Sequence, residues 1–277
     1  MAKFVPDIET KRWVIIAPAR AKRPDQTKNQ ANVVPAGRQV CVFCPGNENL
    51  TPPEIYRIGE GEPAKPGWKV RVVPNKYPIT DFHEVIIHSP NDSADIEDLT
   101  KNHVELILQT YKLRFNAHSQ HGHVLIFNNH GPTSGASILH PHSQVLVVPK
   151  QIVLDSLHLE PVNNLISEDN YFTVYVPDFS QWPFEVWIAP KKKGGMFGDI
   201  LDDEIKNLAK ILQKILKKLT TKFENLSYNY YIHHGADWYL RIIPRTIQRG
   251  GFELGTGLSV NTTDPAEVAK ELTGETV

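Results

Sequence analysis

Two histidines and a glutamine, each two residues from the next, are the residues of this chain best placed to do chemistry: His140, His142 and Gln144. They stand in Ser134-Gly135-Ala136-Ser137-Ile138-Leu139-His140-Pro141-His142-Ser143-Gln144, which runs into the apolar stretch Val145-Leu146-Val147-Val148. A short apolar run of this kind reads as a buried strand. Side chains two apart on extended backbone share a face, so both imidazoles and the amide are expected to project together. Neutral imidazole is a suitable nucleophile near pH 7, and an amide can donate to developing negative charge. Pro141 fixes its own φ and has no N–H for a ladder, which places it at a strand start or edge. The small residues upstream, Gly131, Ser134, Gly135 and Ser137, let backbone approach a ligand closely.

A second set of reactive side chains is Cys41 and Cys44, the only cysteines in the chain, so no disulfide framework exists. Their Cys-x-x-Cys spacing suits two thiolates on one tetrahedral zinc ion. A thioredoxin-like redox pair is the rival, but such a pair usually opens a helix, whereas Pro45-Gly46 signals a turn. The surrounding residues 25–68 are polar and rich in Pro, Gly and Asn, too long for a simple loop and expected to be functional or stabilised by metal. Arg20, Lys22 and Arg23 form a basic cluster after a short Trp13–Ile16 strand. Such a cluster is either a solvated turn or a phosphate site, because guanidinium recognises phosphate oxygens in pairs.

Composition narrows the function classes. With 277 residues, 40% hydrophobic and 22% charged, the chain reads as globular, as one large or two small domains. Its net charge of −1 gives no electrostatic reason to expect nucleic-acid or membrane-surface binding. No apolar run approaches a membrane span and the N-terminus lacks a signal-peptide core, so the cytoplasm is the expected compartment.

The elements that must position these residues repeat once. In the first copy, a strand at Val85–Ile87 leads to an amphipathic helix within Asp95–Phe115. A strand at Val124–Phe127 then delivers Asn129 and the glycine turn into the histidine segment. In the second, Phe184-Glu185-Val186-Trp187-Ile188-Ala189-Pro190 echoes His83-Glu84-Val85-Ile86-Ile87-His88-Ser89-Pro90. A helix over Leu201–Lys222 follows, then strands at Tyr228–Ile232 and Tyr239–Pro244. Aligning the copies on Pro149 and Pro244 puts Asp237 at the place of His142 and Tyr239 at that of Gln144. The second copy therefore has no nucleophilic histidine, and one site per chain is expected. The domain expectation is a first module over residues 1–165 and a degenerate second module over 166–277. A glycine-rich tail and a short helix at Pro265–Leu272 close the chain.

The segments Asn129-His130-Gly131, Gly135-Ala136-Ser137 and His140-Pro141-His142-Ser143-Gln144 resemble the active-site motif of the galactose-1-phosphate uridylyltransferase family, a branch of the histidine-triad (HIT) superfamily. The resemblance covers nearly the whole chain. It implies an α+β fold of two tandem histidine-triad-like modules, each an antiparallel sheet with a packed helix. It also implies an enzyme that exchanges UMP between UDP-glucose and galactose 1-phosphate through a nucleotidyl-histidine intermediate, as a homodimer with one structural zinc per chain. By that resemblance His142 is the nucleophile, and Gln144 a donor to a phosphoryl oxygen that marks transfer rather than hydrolysis. Arg20, Arg23, Asn75, Asn129, Gly135 and Ser137 would bind the nucleotide, and Glu253 the sugar. The family's zinc site draws on Cys41, Cys44 and His140. Where the family has a histidine after Ser-Pro, this chain has Asp92, and either Asp92 or a nearby His83 or His88 would complete the site. A family second metal near the second copy is not expected, since Arg241 and Ile243 occupy those places. The tail Gly251-Phe252-Glu253-Leu254-Gly255-Thr256-Gly257 is also of a type found in ADP-sugar phosphorylases of the same superfamily, which are the alternative reading. A non-catalytic nucleotide-sugar sensor is the reading from another class.

Overall fold

The structure, a computed structural model, describes residues 3–7, 13–23, 40–154, 157 and 161–274. The repeat seen in the sequence becomes a mirrored sheet. Strands β3 (Tyr56–Gly59), β4 (Trp68–Pro74), β5 (His83–Ile87), β6 (His123–His130) and β7 (His142–Val148) come from the first copy. Strands β8 (Leu165–Glu168), β9 (Phe172–Tyr175), β10 (Val186–Pro190), β11 (Tyr228–Ile232) and β12 (Leu240–Pro244) come from the second. All ten join in one sheet, in the order β3-β4-β5-β7-β6-β11-β12-β10-β9-β8, with every pairing antiparallel. A separate hairpin pairs β1 (Lys3–Pro6) with β2 (Trp13–Ile16). The fold is α+β. The two copies meet by merging their sheets through β6 and β11, with Tyr228 opposite His130 and Ile232 opposite Ile126. Merging satisfies the backbone donors and acceptors that two separate edges would leave open.

Each copy packs one helix on the same face of the sheet. Helix α1 (Lys101–His118) starts later than its apolar pattern suggests, because the Thr100 side chain accepts from the His103 N–H and caps the first turn. Helix α2 (Asp202–Lys222) buries Ile205, Leu208, Leu212, Ile215, Leu216 and Leu219 as its spacing predicts, leaving its lysines outward. Both helices press on one core with Ile86, Ile126, Val145, Tyr230 and Leu240 of the sheet. Each such fully buried side chain contributes about 1.5–3 kcal/mol. Glu84 on β5 ties that strand to α1: Arg114 donates to it at 2.6 and 2.8 Å, and His118 at 2.7 Å. The glycine-rich tail forms the short helix α3 (Gly251–Thr256), followed by α4 (Pro265–Thr273). No helix among the described residues is long and apolar enough to cross a membrane.

Candidate active site

The sheet face opposite the helices carries the site. Because Gln144 pairs with Phe127 and Val85 while Ser143 pairs with Asn128 and Ile86, alternation sends His142 and Gln144 to one face and Ser143 to the other. Above them lies an open cleft. Its lining includes the polar Arg23, Asn75, Lys76, Ser137, His142 and Gln144, with Gly135 beside them, and apolar walls that include Val42, Phe43, Leu50, Val73 and Ile138.

The backbone sets the chemical state of His142. Its Nδ1 lies 2.8 Å from the carbonyl of His140, an obligate acceptor, so Nδ1 carries the proton and Nε2 keeps its lone pair. Burial pushes this imidazole down to about 4, further than the same hydrogen bond restores it, so the ring is neutral at pH 7. The Asn128 amide donates to the His142 carbonyl at 2.8 Å and the Phe43 ring stands edge-on to the imidazole, which fixes its position. Beneath the strand, Ser143 is held in a buried network with His88, Tyr111 and Tyr230.

The loop before the histidine segment is shaped by its glycines. Gly131 and Gly135 take φ of +80° and +86°, the left-handed region. A Cβ on Gly131 would press into Ser227, reaching its Cα at 2.9 Å, so the loop lies directly on the start of β11. Asn229 on β11 then donates to Ser134 O at 2.9 Å and to Asn129 Oδ1 at 2.8 Å. The second copy thus buttresses the loop of the first.

His140 does not share the face of His142, as the two-residue spacing predicts. Strand β7 begins only at His142, after Pro141, so His140 is released to turn toward the cysteines. Its Nδ1 stands 3.3 Å from Cys41 Sγ and 3.7 Å from Cys44 Sγ. These three ligand atoms all lie within 4.8 Å of one another, and Asp92 Oδ2 is 3.5 Å from Cys44 Sγ. His140 Nε2 lies 2.8 Å from Ser89 O, an obligate acceptor, so the Nδ1 lone pair faces the thiols. That outer hydrogen bond is the arrangement a metal-bound histidine needs. Burial would raise the Cys41 thiol, but hydrogen bonds with His140 and Cys44 bring it below its ordinary value. Burial and the neighbouring Cys41 and Asp92 push Cys44 up to about 12. A divalent cation between these groups would hold both as thiolates. Cys41, Cys44 and His140 therefore fit a metal ion, with Asp92 beside them. The other two histidines weighed from sequence are engaged elsewhere: His88 with Ser143 and Tyr111, and His83 with Gln144. The Cys-x-x-Cys segment forms a turn and not a helix start, against the redox reading.

The remaining residues singled out from sequence divide. Arg23, Asn75, Gly135 and Ser137 line the cleft. Arg20 donates instead to Tyr77 O at 2.6 Å and steadies the turn between β4 and β5. Asn129 is held by Asn229. Glu253 accepts from the Gly250 N–H at 2.9 Å and caps α3, away from the lining of this cleft. Residues 24–39, which take in the start of the polar stretch, and residues 1–2, 8–12, 155–156, 158–160 and 275–277 lie outside the described residues. Sequence reasoning passed over Ser227 and Asn229. Their only signal was their place at the start of a repeat strand, and nothing in the sequence says that this strand sits beside β6.

The chain is similar to several known proteins in sequence and fold. Residues 21–151 match the N-terminal domain of a family described as a domain of unknown function, DUF4931, and residues 158–244 match the HIT domain. An ADP-glucose phosphorylase of Arabidopsis thaliana is 31% identical over 95% of this chain and 90% of its own length. The crystal structure of an Arabidopsis ADP-glucose phosphorylase with bound ADP-glucose superposes with a TM-score of 0.76 at 29% identity, covering 100% of both chains. A galactose-1-phosphate uridylyltransferase of Thermotoga maritima is 24% identical over 78% of this chain and 74% of its own. The chain belongs to the galactose-1-phosphate uridylyltransferase-like branch of the histidine-triad superfamily, a family of nucleotidyltransferases and phosphorylases.

Proposed function

We propose that this protein moves an adenylyl group from an ADP-sugar to phosphate, releasing the sugar 1-phosphate and ADP. The observation that carries the reading is the His142 imidazole, neutral, hydrogen-bonded at Nδ1 and bearing its lone pair on Nε2 in the lining of the cleft. Nε2 attacks the α-phosphorus, the bond from that phosphorus to the bridging oxygen breaks, and the sugar 1-phosphate leaves with the electron pair. The ring becomes a nucleotidyl-imidazolium whose Nδ1–H stays on the His140 carbonyl. A phosphate oxygen then attacks the same phosphorus, the P–N bond breaks, and neutral His142 is regenerated. The Gln144 amide donates to a non-bridging phosphoryl oxygen as its charge grows. Arg23, with the Gly135–Ser137 backbone, holds the phosphates. Cys41, Cys44 and His140, with Asp92 beside them, would hold zinc, and when bound it would crosslink the turn to the residue two before the nucleophile.

Identity and coverage favour the adenylyl reading, since the relative named ADP-glucose phosphorylase aligns over more of this chain than the uridylyltransferases do. The second reading, UMP exchange between UDP-glucose and galactose 1-phosphate, rests on several curated relatives of that name at 23–26% identity. Intact-protein mass after mixing with ADP-glucose, and separately with UDP-glucose, without acceptor, decides between them. A gain of one AMP supports the adenylyl reading, and a gain of one UMP with UDP-glucose alone supports the second. No adduct with either refutes both and favours a nucleotide-sugar sensor.

A further inference from the structure

Gln144 can do its work only if the right end of its amide faces the phosphate, and the amide is symmetric in shape. Turned one way it offers two N–H donors, and turned the other a carbonyl oxygen that repels an anion. Burial alone does not choose between them. His83, one strand away on β5 and 4% exposed, does. Its Nδ1 accepts the Ile79 backbone N–H at 2.9 Å, and a backbone amide can only donate. Burial pushes this imidazole down to about 4, so the ring is neutral and carries a single proton. With Nδ1 occupied as an acceptor, that proton must sit on Nε2. Nε2 lies 2.9 Å from Gln144 Oε1 and donates to it. Asn75 Oδ1 is fixed by the Tyr77 N–H at 2.8 Å, so its NH2 faces both His83 Nε2 at 3.2 Å and Gln144 Oε1 at 3.5 Å; with Nε2 protonated, only the Gln144 oxygen can accept from it.

We propose that His83 is a positioning residue that locks the Gln144 amide with its oxygen toward β5 and its NH2 toward the cleft. A backbone N–H at Ile79 sets the His83 tautomer, the tautomer sets the amide, and the amide presents donors where phosphoryl charge develops. The kinetic consequence rests on the nucleotidyl-transfer reading above, whereas the hydrogen-bond direction does not.

Two measurements test it. The first is 15N NMR of histidine-labelled wild-type protein, with His83 assigned by its loss in His83→Phe. The Nε2–H tautomer is expected, with its proton shifted by Gln144→Leu. An Nδ1–H tautomer, or a proton unmoved by Gln144→Leu, overturns the proposal whatever the protein transfers. The second is single-turnover nucleotidylation of His142 by ADP-glucose. His83→Phe is expected to slow the step about tenfold to hundredfold, less than deleting an oxyanion donor outright, with apparent substrate affinity within about twofold. His83→Gln, whose amide can donate to the same oxygen, recovers most of the rate. In a Gln144→Leu background His83→Phe adds less than about twofold, because residues acting as a unit are not additive. Full additivity of the two substitutions, or an effect of His83→Phe on affinity alone, refutes the positioning role. Wild-type protein that accepts no nucleotidyl group from any sugar nucleotide refutes the transfer reading, and the tautomer then decides the placement of His83.

Discussion

Replacing Glu84 by Gln tests how β5, the strand that carries His83, is held against α1. The carboxylate is buried at 6% side-chain exposure and accepts from Arg114 Nε and Nη2 and from His118 Nε2. An amide keeps one acceptor oxygen and turns an NH2 toward donors, so about two charge-assisted contacts are lost at roughly 1.5–3 kcal/mol each. Breaking one partner of a buried pair costs about 3–5 kcal/mol. Arg114 remains 12% exposed and can reach water, so the low end applies, about 3 kcal/mol. For a chain of this size that is a fall in Tm of about 6–9 °C. The pH dependence is equally specific. Burial by itself raises the Glu84 carboxyl, but the hydrogen bonds from His118 and Arg114 outweigh it and hold the group below the ordinary carboxylate range. A depressed carboxyl contributes stability that is complete above its unfolded value, about 4.3, and is lost as pH falls through the folded value. The gap between wild type and Glu84→Gln should therefore be full at pH 7 and narrow below about pH 4. Denaturant midpoints at a series of pH values, with constant m, measure it. Removing both partners in Glu84→Leu/Arg114→Leu should destabilise less than Glu84→Leu alone. A loss under about 1 kcal/mol at pH 7, or a gap unchanged at pH 3, would refute this account of the pair.

Gly131→Ala is expected to distort the loop at the cleft, since φ is +80° and the new methyl meets Ser227. A stability loss of about 1–3 kcal/mol and a raised KM for the sugar nucleotide should be seen in melts and steady-state kinetics. Wild-type protein should carry about one equivalent of zinc by elemental analysis and Cys41→Ser should lose it and lower Tm, and a metal-free preparation of unchanged Tm and activity would exclude the site. His142→Asn should end nucleotidylation with the fold intact by circular dichroism, and retained turnover removes His142 from the mechanism. Gln144→His should divert the intermediate to water, read as free AMP or UMP without acceptor, since the new imidazole can act as a base.

The placement of His142 and Gln144 on one face, the closeness of the thiol pair and the strand–helix–strand–strand repeat were legible in the sequence because each depends on local spacing. Period-two and period-3.6 patterns fix which side chains share a face of an element, and the Cys-x-x-Cys spacing keeps two thiols within reach of one another. Tertiary structure decided everything that depends on which strands become neighbours. His140 left the face of His142 because the ladder begins after Pro141. His83 went to Gln144 and His88 to Ser143 because β5 pairs with β7 in one particular register. The loop at Gly131–Gly135 rests on Ser227 and Asn229 because β6 meets β11, about a hundred residues away along the chain. Periodicity carries no information on register between distant strands. Register is set by the summed burial and hydrogen bonding of whole elements, and only the folded sheet contains that sum.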